Sequence, residues 1–321
     1  MWDLVSLGEL LVDFTPMGVS TAGNPVFERN PGGGPANLAC AAAKLGVRTA
    51  FIGQVGDDAF GQALRDIVGA NQVDVDRLRL SKDYQTTLAF VHLAHDGDRS
   101  FSFYRRQGAD TMLTPEDADF DLVANSRCFF YSSVLMTGGT SRESSFRLAT
   151  HARGKGVTTV YDPNLRLNLW EDVNEARKVI LHAMQWANIV KVSEEELTFL
   201  TGKDDMDAGA GTLLTRFGMD ALLVTLGPRG CLAFVGGRRL DLPGFSVDTV
   251  DTTAAGDSFT GGFLYCLLQE NTPITDQTTE KLREMLTFAN AVGALTTTKK
   301  GAISALPSHE DILEFLQERG K

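Results

Sequence analysis

The sequence predicts an α/β protein whose core is a mostly parallel sheet. Three observations carry that expectation. From residue 127 onward, short runs rich in β-branched and aromatic residues alternate regularly with helix-forming segments. Polar residues gather just beyond the ends of those runs, where ligands bind along one edge of a parallel sheet. A single hairpin-like stretch at residues 86–104 interrupts the alternation and reads as an excursion from the main sheet.

Taken in order, residues 4–14 read as a strand with room for a second piece. Leu10, Val12 and Phe14 share one face, leaving Asp13 on the other beside Leu11. Taken alone, Asp13 reads as a solvent-facing aspartate. Next, Gly32-Gly33-Gly34-Pro35-Ala36-Asn37 leads into an alanine-rich helix closed by Gly46. Consecutive glycines let backbone pass close to a ligand, and Asn37 in the first turn offers donors and an acceptor suited to sugar hydroxyls. Plain turn chemistry also accounts for such a loop, and without a Lys-Ser/Thr ending it is no Walker loop. Residues 49–55 form a strand, with a helix starting after Gly56-Asp57-Asp58. Runs 86–94 and 99–104, joined by His95-Asp96-Gly97-Asp98, form the hairpin. Paired with residues 12–27 it makes a small lid, one face of which must close over a substrate or meet a second subunit.

The regular half follows: strand 128–134, helix 141–155, strand 157–161, helix 172–187, strand 188–192, and strands 221–226 and 231–235. Beyond these strand ends lie Arg166, Ser193 to Glu196, and Thr225 to Gly230. Residues 247–250 read as a strand leading into Asp251-Thr252-Thr253-Ala254-Ala255-Gly256-Asp257, and a helix follows with Phe259, Phe263, Cys266 and Leu267 on one face. A helix N-terminus after a small-residue turn is an anion site. An aspartate there repels the anion unless it takes a proton from a hydroxyl while the amides hold a phosphoryl group. The plain reading is that Asp257 complements the helix dipole.

Composition narrows the function. With 41 acidic against 30 basic side chains the formal net charge is −11, which argues against nucleic acid or an anionic membrane as partner. Cys40, Cys128, Cys231 and Cys266 are too scattered for a metal site or disulfide framework. No basic leader and no 18-residue apolar stretch is seen, so a reducing cytoplasmic setting is expected.

Five segments, in order, give the whole length a specific resemblance to the ribokinase-type sugar kinases, most of all the fructokinases. Gly8-Glu9-Leu10-Leu11-Val12-Asp13-Phe14 resembles the family's opening strand, residues 32–37 its di-glycine signature, and residues 251–257 its C-terminal signature. Phe103-Tyr104-Arg105 with Ala109-Asp110, and Asp162-Pro163-Asn164-Leu165-Arg166, are the fructokinase-like segments. The resemblance implies one domain over 1–321, a three-layer α/β/α sandwich with a small β-sheet lid from roughly 12–30 and 86–106. It implies ATP-dependent phosphorylation of a primary hydroxyl, D-fructose to fructose 6-phosphate, with Asp257 as general base. The anion hole would be the amides of Ala254, Ala255, Gly256 and Asp257, with Arg166 assisting. Sugar contacts would come from Asp13, Gly32, Gly33, Asn37, Phe103 and Arg105. Nucleotide contacts would come from Ser193, Glu196, Thr225, Gly227, Gly230, Gly256, Asn290 and Gly301. Mg²⁺ would be held through water by Glu196, and K⁺ by Asp251 and the Thr253 carbonyl. A homodimer through the lid is expected.

Two departures stand out. Ala254 replaces the family's usual glycine; some ribokinases resemble this chain there, so an ordinary φ is expected. Ser193-Glu194-Glu195-Glu196 stands for the family's Asn-x-x-Glu, although a helix N-cap with acidic first-turn residues explains it equally. Alternatives are a 2-keto-3-deoxygluconate kinase, whose acid sugar would take Arg105 and Arg166, another sugar or nucleoside kinase of the family, or a non-catalytic sugar sensor. A dinucleotide oxidoreductase lacks its Gly-x-Gly-x-x-Gly.

Overall fold

The computed structural model describes residues 1–93 and 99–321. Along the chain come β1 (Trp2–Leu7), β2 (Leu11–Val19), β3 (Pro25–Gly32), α1 (Gly34–Lys44), β4 (Thr49–Gly56) and α2 (Ala59–Ala70). Short strands β5 (Val73–Asp74) and β6 (Leu78–Ser81) precede β7 (Leu88–Leu93) and β8 (Arg99–Tyr104). Then follow α3 (Phe120–Ala124), β9 (Ser126–Ser132), α4 (Ser141–Gly154), β10 (Thr158–Asp162), α5 (Val173–Ala183), β11 (Ile189–Ser193), α6 (Glu194–Thr201) and α7 (Met206–Phe217). The last part holds β12 (Ala221–Thr225), β13 (Gly230–Val235), β14 (Arg238–Pro243), α8 (Ala255–Gln269), α9 (Thr279–Thr296) and α10 (His309–Glu318).

A ten-stranded sheet runs β14-β13-β12-β11-β10-β9-β1-β4-β5, with β6 also on β4. The pairs from β12 through β4 are parallel, and β13 and β14 add an antiparallel edge. Its strands are apolar on both faces because helices cover both. Phe129 and Tyr131 of β9 face one core, packed by Leu148 of α4, Ile180 of α5 and Leu197 of α6. Cys128 and Phe130 face the other, packed by Leu38 of α1, Phe259 and Phe263 of α8 and Leu286 of α9. The three-layer sandwich is as expected.

A separate four-stranded sheet runs β3-β2-β7-β8. It takes in most of the two segments from which a lid was expected; the hairpin turn at 95–98 lies outside the described residues. One expectation is sharpened and one needs correction. Residues 4–14 are two strands in two different sheets: β1 pairs with β4 and β9, while β2 pairs with β3 and β7. The chain leaves the large sheet at Gly8, where a Cβ would lie 2.0 Å from the Pro35 ring of α1. Residues 247–250 are not a strand, because no strand lies alongside them; the N–H groups of Val250 and Asp251 instead donate to the Thr297 carbonyl after α9.

Candidate active site

Two helix N-termini meet over the ends of the parallel strands. Helices α1 and α8 cross closely enough that a Cβ on Gly261 would sit 2.8 Å from Ala41. That contact brings Asn37 in the first turn of α1 to Asp257 in the first turn of α8, with Asn37 Nδ2 donating to Asp257 Oδ2 at 2.9 Å. Asn37 Oδ1 is buried without a hydrogen-bond partner among the described residues. Gly33, at φ 119°, packs against the Glu9 carbonyl, where any Cβ would come within 2.3 Å. The next amide, Gly34 N–H, donates to the Glu9 carboxylate at 2.9 Å.

These groups line one cavity of about 860 Å³. Its wall takes in Asp13, Gly33, Asn37 and Phe103 together with Arg166, Ser193, Glu196, residues 250–257 and Gly301. Gly32 is not on the wall; a Cβ there would lie 2.2 Å from the Asp13 carboxylate, so a larger residue would displace that side chain.

Burial dominates the electrostatics. It pushes Asp257 up to about 6, against the Asn37 hydrogen bond and the charges of Lys191 and Arg166, while Asp162 adds to the rise. Burial likewise raises Asp13 to about 6, opposed by Arg166. Glu9 reaches about 7 despite Arg105 and the Gly34 N–H.

The turn before α8 departs from expectation. Ala254 has φ 62° and ψ 6°, so the ordinary φ expected for it is wrong. The left-handed residue is what lets the chain turn from the loop into the helix, and an alanine there costs about 1–2 kcal/mol. The amide of Ala255 donates to the Thr252 carbonyl at 3.3 Å and is not free for an anion. No acceptor is found among the described residues for the amides of Ala254, Gly256 and Asp257, so the expected four-amide hole has three open donors. Asp251 organises the loop: Oδ1 accepts from Thr253 N and Oγ1 at 3.0 and 2.7 Å, and Oδ2 from Gly301 N at 3.2 Å.

Glu196 is buried on the wall, its carboxylate accepting from the Leu165 and Ser193 amides at 2.6 and 2.8 Å. The Ser193 half of that contact is a capping box, so the helix-cap reading and a wall position hold together. Burial and neighbouring Asp162 raise its pKa, against Lys191 and those amides.

Besides Gly32, five expected residues do not reach the cavity wall. Arg105 is turned inward: Nε and Nη2 bond Asp110 Oδ2 at 2.8 and 2.6 Å, and Nη2 also bonds the Val134 carbonyl at 3.0 Å. The pair is buried, the side chains 7% and 1% exposed, so the guanidinium has its anion inside the protein. Thr225 bonds the Val192 carbonyl (3.4 Å), Gly230 packs so closely on β14 that a Cβ there would lie 2.1 Å from the Leu242 carbonyl, and Asn290 bonds the Pro243 carbonyl (3.2 Å). Gly227 lies in a turn beside them. Thr225 pairs with Ser193 across β12 and β11, but none of the four lines the cavity.

Sequence reasoning missed Lys191. It lies in the middle of β11, buried, with Nζ 3.0 Å from Asp162 Oδ2 and on the cavity wall. Burial opposes its charge, but Asp162, Glu196 and Asp257 outweigh that and raise its pKa. A lysine inside an otherwise apolar buried strand was the available signal. Glu9 was also passed over, although a carboxylate beside Gly8 at a strand end was visible.

Comparison with known proteins agrees with this geometry. The model of the family described as pfkB family carbohydrate kinase matches residues 1–309. "Probable fructokinase-4" of Arabidopsis thaliana is 42% identical over 316 residues, covering 98% of this chain and 96% of its own. The crystal structure of fructokinase with bound ATP from Xylella fastidiosa superposes with a TM-score of 0.91 at 31% identity, covering 99% of both chains. A double mutant of the Vibrio cholerae fructokinase, bound to fructose, ADP and potassium, gives 0.87 at 32% identity and 98% of both chains.

Proposed function

The chain belongs to the pfkB family of carbohydrate kinases, and from that premise we propose that it transfers the γ-phosphoryl group of ATP to a primary hydroxyl of D-fructose, yielding fructose 6-phosphate. One observation supports this above the others: the Asp257 carboxylate, open helix N-terminal amides and the unpartnered Asn37 Oδ1 share one cavity. An unpaired buried acceptor costs stability unless a ligand donor such as a sugar hydroxyl meets it.

In this reading Asp13, Gly33, Asn37 and Phe103 hold the sugar, and Asp257 orients the reacting hydroxyl. The hydroxyl oxygen bonds to the γ-phosphorus as the bond to the β-phosphate oxygen breaks, and the proton passes to Asp257. A carboxylate near pH 6 cannot ionise an alcohol in advance, so proton transfer comes late in the step. The amides of Ala254, Gly256 and Asp257 stabilise the transferring group, and Arg166 adds a charged donor. The nucleotide extends past Ser193, Glu196 and Gly301. With Lys191 between Glu196 and Gly256, the phosphates meet a buried cation on the acid-rich wall.

The donor set also fits a hydrated Mg²⁺. Each Glu196 oxygen spends one lone pair on an amide and keeps another to accept from metal-bound water. When bound, the ion spreads charge over the β- and γ-phosphates. Asp251 and the Thr253 carbonyl are offered for K⁺. Since Arg105 is committed to Asp110, it is not offered to the carboxylate of an acid sugar, which favours a neutral ketose over 2-keto-3-deoxygluconate.

The whole chain then acts as one catalytic unit, the four-stranded sheet closing over the sugar to exclude water. Met17, Val19 and Tyr104 are exposed on that sheet (52%, 74% and 70%), which supports a homodimer through it, to be read by light scattering with Val19→Asp. Free thiols at Cys40, Cys128 and Cys231 suit a reducing cytoplasm. The test of the central reading is Asp257→Asn in a coupled ADP-release assay with fructose. A loss of about 10² or more in kcat with little change in KM is expected; near-normal turnover overturns the assignment.

A further inference from the structure

Asn164 follows β10 in a backbone conformation that side chains rarely adopt, with φ 45°. Asparagine tolerates this region better than most residues, so a turn alone would explain it. Its contacts point elsewhere. Asn164 N–H donates to Asp162 Oδ1 at 2.9 Å, while Asp162 Oδ2 pairs with Lys191 Nζ at 3.0 Å. Its side-chain Nδ2 donates to Asp257 Oδ1 at 3.4 Å, and the other Asp257 oxygen is held by Asn37. Each oxygen of the carboxylate therefore receives one amide, one from α1 and one from the turn after β10. The approach is possible because residue 34 is glycine: a Cβ there would lie 2.3 Å from Asn164 Nδ2 and 3.1 Å from Asp257 Oδ1. Lys191, at the far end of this chain, lies 3.0 Å from the Cβ position of Gly256 in the anion-binding turn.

A general base works only if its free lone pair faces the hydroxyl, and two donors at opposite oxygens fix that orientation. We propose that Asn164 is a positioning residue for phosphoryl transfer, fixing the orientation of the Asp257 carboxylate and tying it to the Asp162–Lys191 pair beneath the phosphate-binding turn. The proposal rests on the kinase reading above. Strained backbone held by surrounding contacts at a functional site is what such a device requires.

The decisive variant is Asn164→Gly, which satisfies the turn without strain but removes the donor. If Asn164 were only a turn residue, this variant would keep wild-type kcat and be more stable. The expected result is a roughly tenfold loss of kcat, the worth of one hydrogen bond, with the KM for fructose within threefold. The acid limb of the kcat profile should also move to higher pH, because the ionised carboxylate loses a donor. The charged groups facing that carboxylate are Asp162, Lys191 and Arg166, all retained in the variant. Asn164→Asp supplies the second measurement: it keeps a residue type tolerant of the turn and should move the acid limb further upward through like-charge repulsion. Wild-type kcat with an unmoved pH profile in Asn164→Gly overturns the proposal, as does an unmoved acid limb in Asn164→Asp. Wild-type fructose turnover in the same assay separates the outcomes: its absence sinks the kinase reading, whereas active wild type with silent variants sinks this one alone.

Discussion

Asp257→Asn should make the ligand-free protein more stable while destroying its activity, and the gain should depend on pH. Burial raises the Asp257 carboxyl from an ordinary 3.8 to about 6. The folded state therefore binds that proton more tightly than the unfolded chain. The stabilisation is complete below about pH 4 and is lost as pH rises through 6. A shift of about two units corresponds to about 3 kcal/mol at pH 8, and water in the open cavity reduces it to about 1–2 kcal/mol. The amide variant never ionises and so escapes this cost. Its new N–H₂ group also meets no obstacle, because Asn37 can turn its unpartnered Oδ1 toward it. A melting-temperature gain of about 2–4 °C at pH 8 is expected, shrinking to nothing near pH 4. Differential scanning fluorimetry of both proteins from pH 4 to 8 measures it. A variant no more stable than wild type at pH 8, or an offset independent of pH, would refute the reasoning.

Activity should show the opposite sign. With Asp257 titrating at about 6, kcat/KM should fall to about a tenth between neutrality and pH 5, and a profile flat to pH 5 would remove Asp257 as the base. Asp110→Asn leaves the buried Arg105 without its anion and should cost about 3–5 kcal/mol, seen as a large drop in melting temperature. The paired Arg105→Met, Asp110→Leu protein should recover much of that loss. At Ala254, glycine relieves the φ of 62° but frees the unfolded chain by about 0.4–1 kcal/mol, for a net gain of about 0.5–1 kcal/mol with kcat unchanged. A destabilised Ala254→Gly would mean that the methyl group packs usefully.

Much of the fold could be read because its strands are short apolar runs between turn signals. The site was legible where chemistry demanded rare combinations, as with glycines before Asn37 and small residues before Asp257. Depth was not legible. Thr225, Gly230 and Asn290 follow the right elements in order, but which strand ends open on a cavity depends on how α9 and β14 pack behind them. The reach of Arg105 could not be seen either, because its partner Asp110 lies near in sequence and its burial depends on the separate sheet. The backbone at Ala254 is set by the turn it must close, a property no residue letter carries.

The break at Gly8 has a further consequence. It assigns Asp13 to one sheet and Asn37 with Asp257 to helices resting on the other. In the proposed reading the acceptor's grip is thus split between two bodies, whereas the groups assigned to the phosphates all ride on the larger one. Any shift of the small sheet changes the spacing between Asp13 and Asp257 and leaves the donor half untouched. If Asp13 holds the carbohydrate as proposed, the strength of that hold and the stance of the small sheet are one and the same coordinate.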